Sequence, residues 1–100
     1  MKITFKRLVH SPIDGKKWRV VLLNEEGKER HVDFGATGYI DYTQPPHDAK
    51  RKMLYMLRHK SREDWTKSGI FSAGFWSRWL LWNKSSISAS LSDVKSRFGL

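Results

Sequence analysis

One change of hydrophobic period, at Pro45-Pro46, limits what this chain can fold into. Before it, apolar residues recur at every second position; after it they recur at every third or fourth. Ile3 and Phe5 alternate with Lys2, Thr4 and Lys6, which predicts a half-buried strand. Ser11 to Gly15 contains Pro12 and an Asp-Gly pair, residues that supply turn geometry. Lys17 to Leu23 is β-branched and apolar enough for a central strand. Asn24 to Gly27 then closes a hairpin, and Lys28 to Phe34 returns with Val32 and Phe34 on one face. Residues 1–42 are therefore expected to form a three-stranded antiparallel meander. Gly35-Ala36-Thr37-Gly38 breaks the pattern, and Tyr39 to Tyr42 reads either as a short extra strand or as an ordered loop.

Residues 47–100 read as helical. From Asp48 to about Lys60, Ala49, Met53, Leu54, Met56 and Leu57 share one arc at 100° per residue, expected to face inward. Arg51, Lys52, Tyr55, Arg58 and His59 occupy the opposite arc. Ser61-Arg62-Glu63-Asp64 resembles a capping box for a short helix carrying Trp65, with Gly69 as its stop. Ser72 can cap a helix from Ala73 to Asn83 that is apolar on nearly every side. Such a helix is either central to its fold or buried in a partner. Trp79 and Trp82 share the arc of Phe75 and are expected inside, whereas Trp76 and Arg78 sit on other arcs and are expected to be partly exposed. A last helix carries Ile87, Leu91, Val94 and Phe98 at helical spacing and stops at Gly99.

One hundred residues form one domain, because either half alone would be too small to bury a useful core. The expected architecture is α+β: the N-terminal meander packed with three to four C-terminal helices around a shared core. No cysteine is present, so disulfides and cysteine-ligated zinc are excluded. No apolar leader is evident, and the longest apolar run, Trp79 to Trp82, is far below the ~20 residues of a membrane span. A soluble, unprocessed protein with no membrane partner is expected.

The charge is +9, and it is uneven: residues 1–50 hold nine Lys/Arg against seven Asp/Glu, residues 51–100 ten against three. No acid interrupts the cations between Arg51 and Arg62, although a Glu or Asp four residues from each Lys is the usual relief. The candidate contact set is therefore Lys50, Arg51, Lys52, Tyr55, Arg58, His59, Lys60, Arg62 and Lys67. The cations would meet successive phosphates, and Tyr55 would stack on a base or bond a phosphate oxygen. The ordinary alternative is a solvated helix face. Catalytic patterns are weaker. His59, Tyr55 and Arg58 could act as base, phenol and phosphate clamp, but no acid cluster for a metal accompanies them. Asp33 and Asp41 are two carboxylates without further ligands. Gly35 to Gly38 is too short for a phosphate-cradling loop. No catalytic residue, metal or cofactor is assigned.

Phe34-Gly35-Ala36-Thr37-Gly38-Tyr39-Ile40-Asp41-Tyr42-Thr43, His47-Asp48, Arg58-His59, Glu63-Asp64-Trp65 and Ser72 to Trp82 carry a resemblance. Over residues 34–90 the chain resembles small basic proteins of nucleocytoplasmic large DNA viruses, including giant viruses of amoebae and viruses of algae. The resemblance implies a setting, the virion or an infected cell's cytoplasm or nucleus, and no chemistry. In these runs Asp41 or Thr43 is expected to cap the first helix, Arg58 to pair with Glu63 or with a carbonyl of the turn, Gly38 to take a positive φ, and Gly74 to allow a close approach.

The leading expectation is a non-enzymatic protein that binds nucleic acid, DNA before RNA, largely without sequence preference, for genome packaging or condensation. The second is a virion structural or host-interaction protein that forms a homodimer through the aromatic helix 73–83. The third is a small nuclease.

Overall fold

A computed structural model describes residues 2–100. Strands β1 (Thr4–His10), β2 (Lys16–Leu23) and β3 (Glu29–Ala36) form one antiparallel sheet in the order β1-β2-β3, the meander the alternating pattern predicts. Val20 of β2 lies opposite Leu8 on one side and Val32 on the other, which puts β-branched residues at the centre of the sheet. Helix α1 (Ala49–His59) follows, then a single 3₁₀ turn at Lys67–Gly69. Helix α2 (Ala73–Trp76) runs directly into a π-helical turn at Ser77–Leu81, and α3 (Ile87–Phe98) closes the chain. Tyr39 to Tyr42 is a loop, not a fourth strand.

The core lies between the sheet and the α2 segment. Ile3, Val20, Leu22, Val32 and Phe34 meet Ile70, Phe75, Trp76, Leu80, Leu81 and, from α3, Val94. The all-round apolar character of residues 73–83 has a simple cause: the segment is packed on two sides. Trp76 faces the sheet, with its ring 6.4 Å from Phe34, while Phe75 faces α3, 5.0 Å from Phe98. Trp76 is therefore 0% exposed, against the expectation of partial exposure. Its indole N–H donates to the Ile70 carbonyl at 2.7 Å, which removes the obstacle to complete burial. Ser72 caps α2 through the Phe75 N–H, Ser86 caps α3 through Ala89, and Gly99 stops α3 at φ 68°.

The capping-box reading of Ser61 to Asp64 fails. No helix carries Trp65; the Asp64 carboxylate instead accepts from the Thr66 N–H at 2.9 Å and from the Ser68 hydroxyl, closing a tight loop. Gly69 is the last residue of the 3₁₀ turn that follows, so it ends that single turn and not a helix carrying Trp65. Local side-chain bonds of this kind compete with helix formation and have won here.

Candidate nucleic-acid interface

Helix α1 is turned over relative to its hydrophobic pattern. Tyr55 is 6% exposed and Lys52, Met56 and His59 are half-buried, one stripe at 3–4 spacing, whereas Met53, Leu54 and Leu57 are 56%, 46% and 67% exposed. The surface that receives α1 explains this. It consists of aromatic rings and polar backbone, which suit a tyrosine and a lysine stem better than aliphatic branches. Tyr55 stacks with Trp82 at 4.8 Å and with His59 at 4.3 Å between ring centres. The Lys52 ammonium donates to the Asn83 carbonyl at 2.6 Å and lies 4.8 Å from the centre of the Tyr42 ring. Burial, then repulsion from Arg78 and Lys84, holds the Lys52 pKa below its ordinary value. Burial, and then the Glu63 carboxylate, pushes the Tyr55 phenol upward.

The cap of α1 is Asp48, whose carboxylate accepts from the N–H groups of Lys50 and Arg51 at 2.9 and 3.3 Å. Asp41 and Thr43 do not reach the helix: Asp41 accepts from the N–H and hydroxyl of Thr43 and pairs with Lys17 at 2.7 Å. Glu63 pairs with His59, not with Arg58. Its Oε1 lies 2.8 Å from His59 Nδ1, off the line of a good hydrogen bond. Gly74 makes room for that carboxylate, since a Cβ there would fall 2.1 Å from Glu63 Oε2. The Glu63-Asp64-Trp65 and Ser72-Ala73-Gly74 runs are thus spatial partners.

The nine candidate contact residues separate into groups. Lys52, Tyr55 and His59 point inward and hold the helix. Because the Tyr55 ring is already stacked and buried, it is not free to receive a base. Arg51 and Arg58, seven residues apart, lie on one flank of α1, about 10.5 Å apart along its axis. Lys50 faces outward among the exposed aliphatics, Lys60 lies on the far flank, Arg62 follows the helix, and Lys67 is half-buried in the 3₁₀ turn. Among the described residues, no carboxylate comes within ion-pair distance of Lys50, Arg51, Arg58, Lys60, Arg62 or Lys67. The sheet differs: Lys6 and Arg7 meet Glu29, Lys17 meets Asp41, and Arg19 meets Asp33.

Arg51 and Arg58 border a groove of about 370 Å³ between α1 and the segment that leaves β3. Its outer wall is Tyr39 and Ile40, and its floor is Tyr55, Leu81 and Trp82, with Leu54 at the rim. Lys17 fixes the outer wall, donating to the Tyr39 carbonyl at 2.5 Å, to Asp41 at 2.7 Å and to Gln44 at 3.0 Å. Tyr39, Ile40 and Leu54 were missed as site residues. The one signal in the sequence is an aromatic residue, Tyr39, directly after the turn glycine Gly38, which the structure places at φ 86°.

A metal site is not assembled. Asp33 is held by Arg19 and Ser11, and Asp41 by Lys17, so the two carboxylates serve separate cations. No three His, Asp or Glu side chains converge among the described residues. None of the described helices is long and apolar enough to cross a membrane.

A three-stranded meander that carries a helix with unpaired arginines beside an aromatic groove defines a small basic α+β protein with a cationic cleft. The chain belongs to DUF5754, a family of unknown function, whose family model matches residues 6–59. The matched stretch takes in most of β1, all of β2 and β3, and all of α1, and so contains both arginines and the outer wall of the groove. Comparison with curated proteins and with solved structures yields no match.

Proposed function

We propose that the protein binds nucleic acid, DNA in the first place, through phosphate contacts that do not depend on sequence, in the packaging or condensation of a viral genome. One observation carries this reading. Lys6, Arg7, Lys17 and Arg19 of the sheet each have a carboxylate partner in Glu29, Asp41 or Asp33, whereas among the described residues no Lys or Arg from Lys50 to Lys67 has one, and of these Lys52 alone is turned inward, onto the Asn83 carbonyl. Arg51, Arg58, Lys60 and Arg62 are the contact residues; guanidinium groups suit phosphate because their N–H forks bind two oxygens. The resemblance to small basic proteins of large DNA viruses supports the setting.

Binding of a labelled duplex across a salt series tests it. Neutralising ~4–6 phosphates gives a log–log slope of about −4 to −5. The combined replacement R51A/R58A/K60A/R62A lowers affinity for all sequences alike and flattens that slope. A slope near zero in the unaltered protein, or unchanged binding by the variant, overturns the proposal.

The second reading, an interaction protein, changes location. Phe75, Trp76 and Leu80 of the aromatic helix are wholly buried within the monomer, which leaves that helix little surface for a partner. Met53, Leu54 and Leu57 of α1 are the observation that favours it, since clustered exposed aliphatics are a common mark of contact surfaces. Light scattering that shows a dimer indifferent to DNA would favour this second reading over the first.

A further inference from the structure

We infer that the groove beside α1 is a pocket for a single unpaired nucleobase, so that the protein prefers single-stranded nucleic acid to duplex. The inference rests on the proposed phosphate binding and adds the identity of the strand. Three features of the groove combine. Its volume, about 370 Å³, lies at the small end of ligand sites and suits a flat ring with part of its sugar. Its lining is largely aromatic and aliphatic: Tyr39, 71% exposed, from the segment after β3, Leu54 from α1, and Trp82. Its uncompensated charge comes from Arg51 and Arg58 on the α1 flank. The only carboxylate in the lining, Asp41, is already matched by Lys17 at 2.7 Å. An aromatic ring in the cleft with a phosphate at its mouth satisfies all three features.

The geometry also selects the strand. In a duplex each base is stacked and paired, and its faces cannot enter a side cleft without extrusion. An unpaired base has both faces free, and stacking on protein rings tolerates any base. The outer wall is prepared for this contact, because Lys17 binds the Tyr39 carbonyl at 2.5 Å and holds the Tyr39–Asp41 loop against β2 before any ligand arrives. A pre-formed wall reduces the ordering cost of binding.

The experiment uses the full chain and three labelled probes matched in number of phosphates: a thymidine homopolymer, the same strand made abasic, and a duplex of half that length. The base-bearing strand is expected to bind about tenfold more tightly than the abasic one, the size expected from stacking one base. Y39A/L54S, two changes at exposed positions, should remove that tenfold while leaving abasic and duplex binding intact. Equal affinity for base-bearing and abasic strands refutes the pocket and leaves the phosphate surface standing. Failure of all three probes to bind refutes the surface as well. Free O-phosphotyrosine that displaces the strand more effectively than thymidine monophosphate would reassign the cleft to a phosphorylated peptide and overturn the inference.

Discussion

Helices α1 and α3 are close in length, eleven and twelve residues, and both start at a side-chain cap, yet they attach to the molecule in opposite ways. Helix α3 turns Val94 and Ser90 fully inward, with Ile87, Leu91 and Phe98 packed around the core. Helix α1 turns Lys52, Tyr55 and His59 inward and leaves Met53, Leu54 and Leu57 in solvent. Neither the sheet nor α3 shares a broad packing interface with α1. The contrast shows that the apolar arc of a helix marks its buried face only where the receiving surface is apolar too. The surface under α3 is Phe75 and Trp79; that under α1 is Trp82, Tyr42 and the backbone carbonyl of Asn83, which accepts from Lys52.

The largest expected effect tests whether α1 is attached at one point. Tyr55 is its only fully buried side chain, and Tyr55→Ala should cost about 3 kcal/mol, near the lower end for removing a buried aromatic ring. Because α1 is joined to little else, the loss should be local. Hydrogen exchange would show the amides of residues 49–59 losing protection while those of β2 and α3 keep theirs. Uniform loss across the chain would mean that the two helices belong to one cooperative unit, and the contrast drawn between them would fail. The matching change on α3, Val94→Ala, removes two methyl groups from a site with no exposure and should cost about 1–2 kcal/mol. That loss should appear in every core amide, and confinement to α3 would contradict a shared core.

The difference between the helices also explains which parts of the structure could be read from the sequence. The meander was legible because period-two alternation and Asp-Gly or Glu-Gly turns are local signals, and Val32 and Phe34 face the core as that alternation predicts. α3 was legible for the same reason: Ser86, the 3–4 spacing of its apolar residues and Gly99 agree with one another. The orientation of α1 was not legible, because it depends on Trp82 and Asn83, which lie more than twenty residues further along the chain. The groove was hidden for the same reason, as it forms only when α1 and Tyr39-Ile40 are brought together. The unpaired arginines were legible in part. The absence of acids between Arg51 and Arg62 is visible in the sequence, but Lys52 turns inward and leaves the set.

The two helices should also differ in the direction of their response to pH. On α3, Asp93 accepts from Asn83 Nδ2 at 2.8 Å and pairs with Arg97, and both contacts hold its pKa below the ordinary value of 3.8. Its contribution is therefore present above that value and is lost as pH falls through the lower, folded-state pKa. On α1, the phenol of Tyr55 is raised above 10.0, so its contribution is complete below pH 10 and declines as pH rises beyond it. Lys52 opposes this decline, because its depressed pKa means that the cost of burying the charge is relieved on deprotonation. In melting experiments, Asp93→Asn should flatten the acid limb and Tyr55→Phe the alkaline limb, each leaving the other limb in place. An alkaline limb that is identical in the Tyr55→Phe variant and the unaltered protein would show that the phenol has no part in it.

The smallest expected effect tests the outer face of α1. Met53 and Leu57 are 56% and 67% exposed, and neither belongs to the core cluster. Replacing both with serine removes apolar surface that water already reaches, so stability should change by no more than ~0.5 kcal/mol per site, including the modest helix-propensity cost. A loss of several kcal/mol would mean that this face is covered in solution, and only a second copy could cover it in a purified sample. In that case the stability of the unaltered protein would rise with its concentration, as mass action requires when association protects the folded state. A concentration-independent midpoint together with a neutral double variant would instead leave α1 as a helix held from beneath by Lys52, Tyr55 and His59, with Met53 and Leu57 free in the isolated chain.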